Sequence, residues 1–352
     1  MKFNIVTFHR AYNYGAVLQA YALQEFIKKM GYSSGVYDYC SPGENKYKGI
    51  KGKILQSFLL LDKKNILSRK EKYNEFVEEM MNLNTEINSD IYIAGSDQVW
   101  NPCGIMDPIY FLRFVSEDSI KASYAASLGD AVIPKEKKDL LKVYVNDFNF
   151  ISVREEFSRN LLLELCIEKD ISVNIDPTLL HDANFWENIA EKVNLMEEKY
   201  ILVYLMHKPK NINLLLKWLK KETNYKIIIV DGQGIVQGIM THLIINDTAL
   251  HAVGPKEFIW LIANAQMVVT SSFHGTAFSL LFHKEVYSIG NNPESRVGHL
   301  LNMCGLDMVF ENTENFNRNN RINWNNVDLV LKRERERSFK YLEHVAKMID
   351  KK

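Results

Sequence analysis

Three residues combine a chemistry-bearing side chain with a place where a strand gives way to a helix. They are His274 in "MVVTSSFHGTAFSLLFHKEVYSIG", Arg154 in "NFISVREEFSRN" and Arg296 in "GNNPESRVGHL". An imidazole can give or take a proton near neutral pH, and a guanidinium fork matches carboxylate or phosphate. If "MVVTSS" is a strand, Phe273 and His274 fall in the tight turn after it. Gly275 and Thr276 then open a helix whose first N–H groups suit an anion, with Ser271 and Ser272 adding polar neighbours. Ser272, Gly275, Thr276, Arg154 and Arg296 are the candidate holders of an anionic donor, and His274 the candidate for proton transfer. Plainer readings stand beside these. A single histidine is often a satisfied structural residue, and Arg154 has Glu155 and Glu156 at hand for a surface ion pair.

A second set suits a neutral, hydroxylated partner. "IYIAGSDQVWNP" packs Gly95, Ser96, Asp97, Gln98 and Trp100 into one loop at a strand end. Asp97 and Gln98 match sugar hydroxyls, and an indole face covers the apolar side of a pyranose ring. "HRAYNYGAVLQA" places Asn13 and Gly15 where the first strand meets the first helix, and Gly15 there allows close backbone approach. The competing readings are a capping aspartate, a core tryptophan and ordinary turn chemistry. "DGQGIVQG" has the look of a dinucleotide loop, but its glycines are spaced G-x-G-x-x-x-G and the polar "MTHLIINDT" beyond makes a poor helix, so an NAD site is set aside.

The elements that must hold these residues read as two α/β arrays. "FNIVTF", the amphipathic "AVLQAYALQEFIKKM" and "SSGVYDY" form a βαβ unit, followed by strands at "DIYIAG", "FISVR" and "DISVNI" and a helical "KEKKDLLKVYVNDFN". The pattern restarts with "YILVYLM", "INLLLKWLKKE", "YKIIIVDG", "PKEFIWLIANA", "MVVTSS", "GTAFSLLFH" and "EVYSIG". Two Rossmann-like doubly wound domains result, residues 1–182 and 195–330, with a hinge over residues 180–198 and a ligand cleft between them. Residues 331–352 read as a closing helix with Phe339, Leu342, Val345 and Ile349 on one face. The segment "KYKGIKGKILQSFLLLDKK" alternates basic and apolar clusters, which fits a solvated surface or a peripheral membrane contact through residues 46–65.

Composition narrows the function classes. The 43 basic and 43 acidic side chains cancel, so no overall field draws nucleic acid and any anion must be bound locally. "MKFNIVTF" is too short for a secretory apolar region, and no run reaches the roughly eighteen apolar residues of a membrane span. Four dispersed cysteines signal neither a zinc site nor a disulfide framework, which fits a reducing cytoplasm.

Five stretches, "TFHRAYNYGAVLQAYALQ", "IAGSDQVWNP", "SVREEFSRNLL", "DPTLL" and "TSSFHGTAFSLLFHKEVYSIG", taken in order, resemble the polysaccharide pyruvyl transferases. The resemblance implies a GT-B-like fold. It also implies transfer of the enolpyruvyl unit of phosphoenolpyruvate to a sugar, giving a pyruvate ketal in surface polysaccharide (capsule or exopolysaccharide) synthesis. It puts the catalytic histidine on His274, the donor-binding and catalytic arginine on Arg154 and a further basic residue on Arg296. Asn13, Gly15, Asp97, Gln98 and Trp100 remain for a sugar or lipid-linked oligosaccharide acceptor. Phosphoenolpyruvate is a co-substrate, with no cofactor or metal expected. Some branches of the family carry arginine two residues before the histidine, where this chain has Ser272. A cytoplasmic protein, or one peripheral at the inner face of the membrane, is the expectation. Two other readings stay open, a GT-B glycosyltransferase using a nucleotide sugar and a non-catalytic glycan-binding module.

Overall fold

A computed structural model describes residues 1–41, 63–129, 132–195, 199–231, 248–310, 314 and 321–348. They fall into two compact units. Unit 1 comprises residues 1–41, 77–181 and 331–348, and unit 2 comprises residues 63–76 and 182–330.

Unit 1 is built on short parallel strands β1 (Lys2–Val6), β2 (Ser33–Tyr37), β3 (Leu83–Asn84), β4 (Ile91–Ala94) and β5 (Ile120–Ser123), in the order β3-β2-β1-β4-β5. Bridges Ala122↔Phe150 and Ala126↔Val153 attach a further parallel pair, β6 (Ile151–Val153) and β7 (Ile171–Val173). Strand β5 interrupts its apolar run with Lys121, which hides it from a search for apolar alternation. The lysine is tolerated because its Nζ donates to Asp147 Oδ2 at 2.8 Å. Helix α1 (Tyr14–Lys29) crosses from β1 to β2 and is buried on almost every side. Gln19 and Gln24 fit there because Thr7 Oγ1 and the Met80 carbonyl accept from their amides.

Unit 2 has strands β8 (Tyr200–Leu205), β9 (Lys226–Asp231), β10 (Thr248–Leu250), β11 (Met267–Thr270), β12 (Glu285–Ile289) and β13 (Val309–Phe310), parallel throughout in the order β10-β9-β8-β11-β12-β13. That is the doubly wound order, with a reversal point between β8 and β11. The strands read as continuous apolar runs because helices cover both faces of such a sheet. The long helix at the C-terminal end runs over Trp324–Lys347, starting seven residues before the expected Leu331. From Leu331 onward it belongs to unit 1. Leu342 and Val345 are buried as expected, but Phe339 is 41% exposed and touches Phe26 only edge-on. Ile349, residues 46–62 and the glycine loop at 232–238 lie outside the described residues. Among the described residues no helix is long and apolar enough to cross a membrane.

Candidate active site

At the reversal point of unit 2 the carboxyl ends of β8, β11 and β12 are laced together by small polar side chains. Thr270 Oγ1 donates to the Tyr204 carbonyl at 2.6 Å and accepts from the Ser272 N–H at 3.0 Å. Ser271 Oγ accepts from the Met206 N–H at 2.8 Å. Ser272 caps helix α8 (Phe273–Leu281), its hydroxyl accepting from the Gly275 N–H at 3.3 Å while Thr276 Oγ1 donates back to its carbonyl at 3.0 Å. Gly275 is demanded by packing, since a Cβ there would lie 2.5 Å from Thr270 Oγ1 and 3.1 Å from the Tyr204 ring. His274 is thereby fixed in the first turn of α8, 6% exposed and edge-on to Phe273. From β12, Asn291 Nδ2 donates to the Ser271 carbonyl at 3.3 Å and to Ser288 Oγ at 2.8 Å. The same loop then carries half-buried Arg296 into the start of helix α9 (Arg296–Met303), capped by Ser295. A second histidine joins from β8. His207 Nε2 meets the Gly290 carbonyl at 3.0 Å, and Gly290 is fixed as glycine by its left-handed φ of +78°.

Unit 1 gathers a different set at the ends of β4, β6 and β7. Arg154 is buried beneath the sheet edge, its Nε donating to Glu155 Oε1 at 2.7 Å and its Nη1 to Asp176 Oδ2 at 2.9 Å. Ser96 Oγ donates to the same Asp176 oxygen, Ser127 and Ser158 hydroxyls donate to Glu155, and the Thr178 N–H and hydroxyl donate to the other oxygen of Asp176. Burial opposes the Arg154 charge, but Glu155, Asp176 and Asp97 outweigh it and hold the pKa of the guanidinium above its ordinary value. Asp97 sits next to this network at φ +70°, a left-handed conformation unusual outside glycine, its Oδ1 accepting from the Gln98 N–H at 2.9 Å. Gln98 Oε1 accepts from Asn101 Nδ2 at 2.8 Å.

A family model described as polysaccharide pyruvyl transferase matches residues 13–293. The chain belongs to the polysaccharide pyruvyl transferase family. No curated protein matches it. Among solved structures it is similar to a UDP-N-acetylglucosamine 2-epimerase, with TM-score 0.61 at 11% identity over 100% of this chain and 96% of that one. A putative UDP-N-acetylglucosamine 2-epimerase from Listeria monocytogenes gives 0.57 at 11% identity, covering 100% and 97%. The UDP-GlcNAc 2-epimerase of Neisseria meningitidis bound to UDP-GlcNAc gives 0.53 at 13% identity, covering 98% and 94%. At such identities the likeness is one of fold alone, and the fold is the two-unit, Rossmann-like GT-B type.

The motifs of this pyruvyl transferase family member thus divide between the units. His274, Ser272, Gly275, Thr276 and Arg296 meet at one sheet edge of unit 2, while Asn13, Gly15, Asp97, Gln98, Trp100 and Arg154 belong to unit 1. The surface ion pair considered for Arg154 is not formed. Glu155 is the partner, but inside the protein, and Glu156 pairs with Arg159 instead. Trp100 corrects the expectation of a sugar-stacking face. It is fully buried, stacked on Phe111 with an interplanar angle of 6°, edge-on to Phe148, and its Nε1 donates to the Tyr110 carbonyl at 3.1 Å. An indole covered on its face and satisfied at its nitrogen belongs to the core. Asn13 is the N-cap of α1, its Oδ1 accepting from the Ala16 N–H at 3.2 Å, and Gly15 is buried in the turn that follows. His207 went unnoticed in the sequence. Its one signal there is its place just past a strand, in "YLMHKPK", because the carbonyl that holds it lies far along the chain at Gly290.

Proposed function

We propose that this protein transfers the enolpyruvyl unit of phosphoenolpyruvate onto two hydroxyls of a sugar in a glycan or glycan precursor, giving a pyruvate ketal and phosphate. The observation that carries the reading is a histidine held in the capped first turn of a helix, at the reversal point of a doubly wound sheet, in a chain of the pyruvyl transferase family. In this reaction C3 of the donor gains a proton and becomes a methyl group, which makes C2 electrophilic. One sugar oxygen bonds to C2 and loses its proton. The second then displaces the phosphate, whose C–O bond breaks with the electron pair going to the leaving oxygen. Of the two hydroxyl protons one balances the new methyl hydrogen and the other leaves on phosphate.

His274 is the proton donor to C3 in this reading. The Gly275 and Thr276 N–H groups are already taken by Ser272, so Gly275 and Thr276 shape the turn, and the positive end of α8 together with Arg296 faces the donor's anionic groups. Asp97, Gln98 and Asn13 are assigned to the acceptor. Arg154 is assigned to positioning, because its guanidinium already lies against Glu155 and Asp176 and the local charge, one cation among three carboxylates counting Asp97, disfavours a donor that carries both carboxylate and phosphate. The test is phosphate release from phosphoenolpyruvate with a panel of lipid-linked and nucleotide-linked sugars, with the product checked for a ketal by mass. Release that depends on an acceptor supports the reading. Transfer of a sugar from a nucleotide donor, with phosphoenolpyruvate left intact, overturns it in favour of glycosyl transfer.

A further inference from the structure

Helix α6 (Ile212–Thr223) of unit 2 is apolar on two opposite sides. One side is expected, since Ile212, Leu215, Leu216 and Leu219 are buried as in any helix lying on a sheet. At about 100° per residue, the stripe formed by Leu214, Lys217, Trp218 and Lys221 lies about half a turn away and points directly outward. There Leu214 is 65% and Trp218 41% exposed. Lys217 and Lys221 within the stripe, and Lys220 beside it, are exposed.

We propose that this outward stripe seats the protein on an anionic membrane surface. Leu214 and Trp218 enter the headgroup layer with the helix axis in the plane of the membrane, and the lysines meet lipid phosphates. An indole is suited to that layer because its body is apolar and its N–H is polar, and lysine stems can lie along apolar surface while the ammonium stays at the phosphates. Charge complementarity selects this occupant over a second copy of the chain. A two-fold contact through the same stripe would set Lys217 and Lys221 against lysines of the other copy, whereas an anionic leaflet opposes them with negative charge. The stripe lies on the face of α6 opposite its buried side, and its role holds whichever donor the protein uses.

The test uses the full chain and co-sedimentation with vesicles of phosphatidylcholine alone or of phosphatidylcholine mixed with phosphatidylglycerol. The expected result is binding to the mixed vesicles only, weakened by added salt, and reduced about tenfold or more by Leu214→Ser with Trp218→Ser. Lys217→Gln with Lys221→Gln, which keeps the apolar pair, should weaken binding and flatten its salt dependence. Unchanged melting temperatures confirm that both double variants fold, as exposed positions permit. Wild-type protein that ignores the mixed vesicles, or a Leu214→Ser, Trp218→Ser variant that binds them as well as wild type, overturns the proposal. So does a wild-type dimer in sedimentation equilibrium that this variant reduces to monomer, which would give the stripe to a second copy.

Discussion

The side chain with most at stake is His274, because the same burial suits a structural imidazole and a proton donor. A substitution separates the two roles. His274→Gln keeps a polar side chain of similar reach but cannot protonate carbon, so kcat for phosphate release should fall by about 10² to 10⁴ while the melting temperature stays near that of wild type. A variant that melts early and turns over normally would make the histidine structural. The place of this residue at a strand-to-helix junction was legible because its signal is local, although the helix opens at Phe273, two residues before the expected Gly275. The contacts made at the sheet edge of each unit were not. His207 meets Gly290 across the sheet, and Arg154 finds Asp176 in a motif, "DPTLL", that shows nothing of its partner. Trp100 misled for the opposite reason. It follows a polar loop in sequence, but Phe111 and Phe148, which bury it, come from elsewhere in the chain.

At the scale of elements, strands set in an apolar run were readable, the three-residue β6 and β7 included, and those of two residues or interrupted by a charge were not. β3 and β13 have two residues each, and β5 carries Lys121. The ends of the strands matter more to the site than their length. In unit 1, Arg154 after β6 and Ser96 after β4 both donate to Asp176 after β7, so the Asp176 carboxylate, with Arg154 as its cation, ties three connections together. Arg154→Met should therefore leave Glu155 and Asp176 buried without their cation and cost about 3 to 5 kcal/mol in urea unfolding. If Arg154 also anchors the donor, calorimetry on the folded variant would show phosphoenolpyruvate binding weakened by about 1.5 to 3 kcal/mol, whereas a positioning role leaves that affinity nearly unchanged.

For the whole molecule, acid stability is governed by groups whose folded state resists protonation. Burial pushes His181, whose Nε2 meets the Ala22 carbonyl at 2.8 Å, down to about 4. The unfolded chain takes up that proton near pH 6.5, so the stabilisation is complete above about 6.5 and drains away as pH falls from there through 4. Asp38, lowered to about 2 by the hydrogen bonds of Arg10, loses its contribution in the same direction at lower pH. Between about pH 7 and pH 5, urea unfolding of the wild type should lose about 2 kcal/mol that His181→Gln, which has no titrating ring, does not lose. Equal losses in the two proteins would remove His181 from the account. The order of the chain imposes a further consequence. Unit 1 includes the stretch from Leu331, where Leu342 and Val345 are buried and the Tyr341 hydroxyl donates to the Ser123 carbonyl, but every described residue of unit 2 precedes that stretch. During synthesis the ribosome therefore delivers the described residues of unit 2 before it delivers the part of the helix, from Leu331 onward, that packs in unit 1. The domain begun first is finished last, and the apolar surface awaiting that helix stays open to chaperones, or to other nascent chains, for the time it takes to translate the intervening residues.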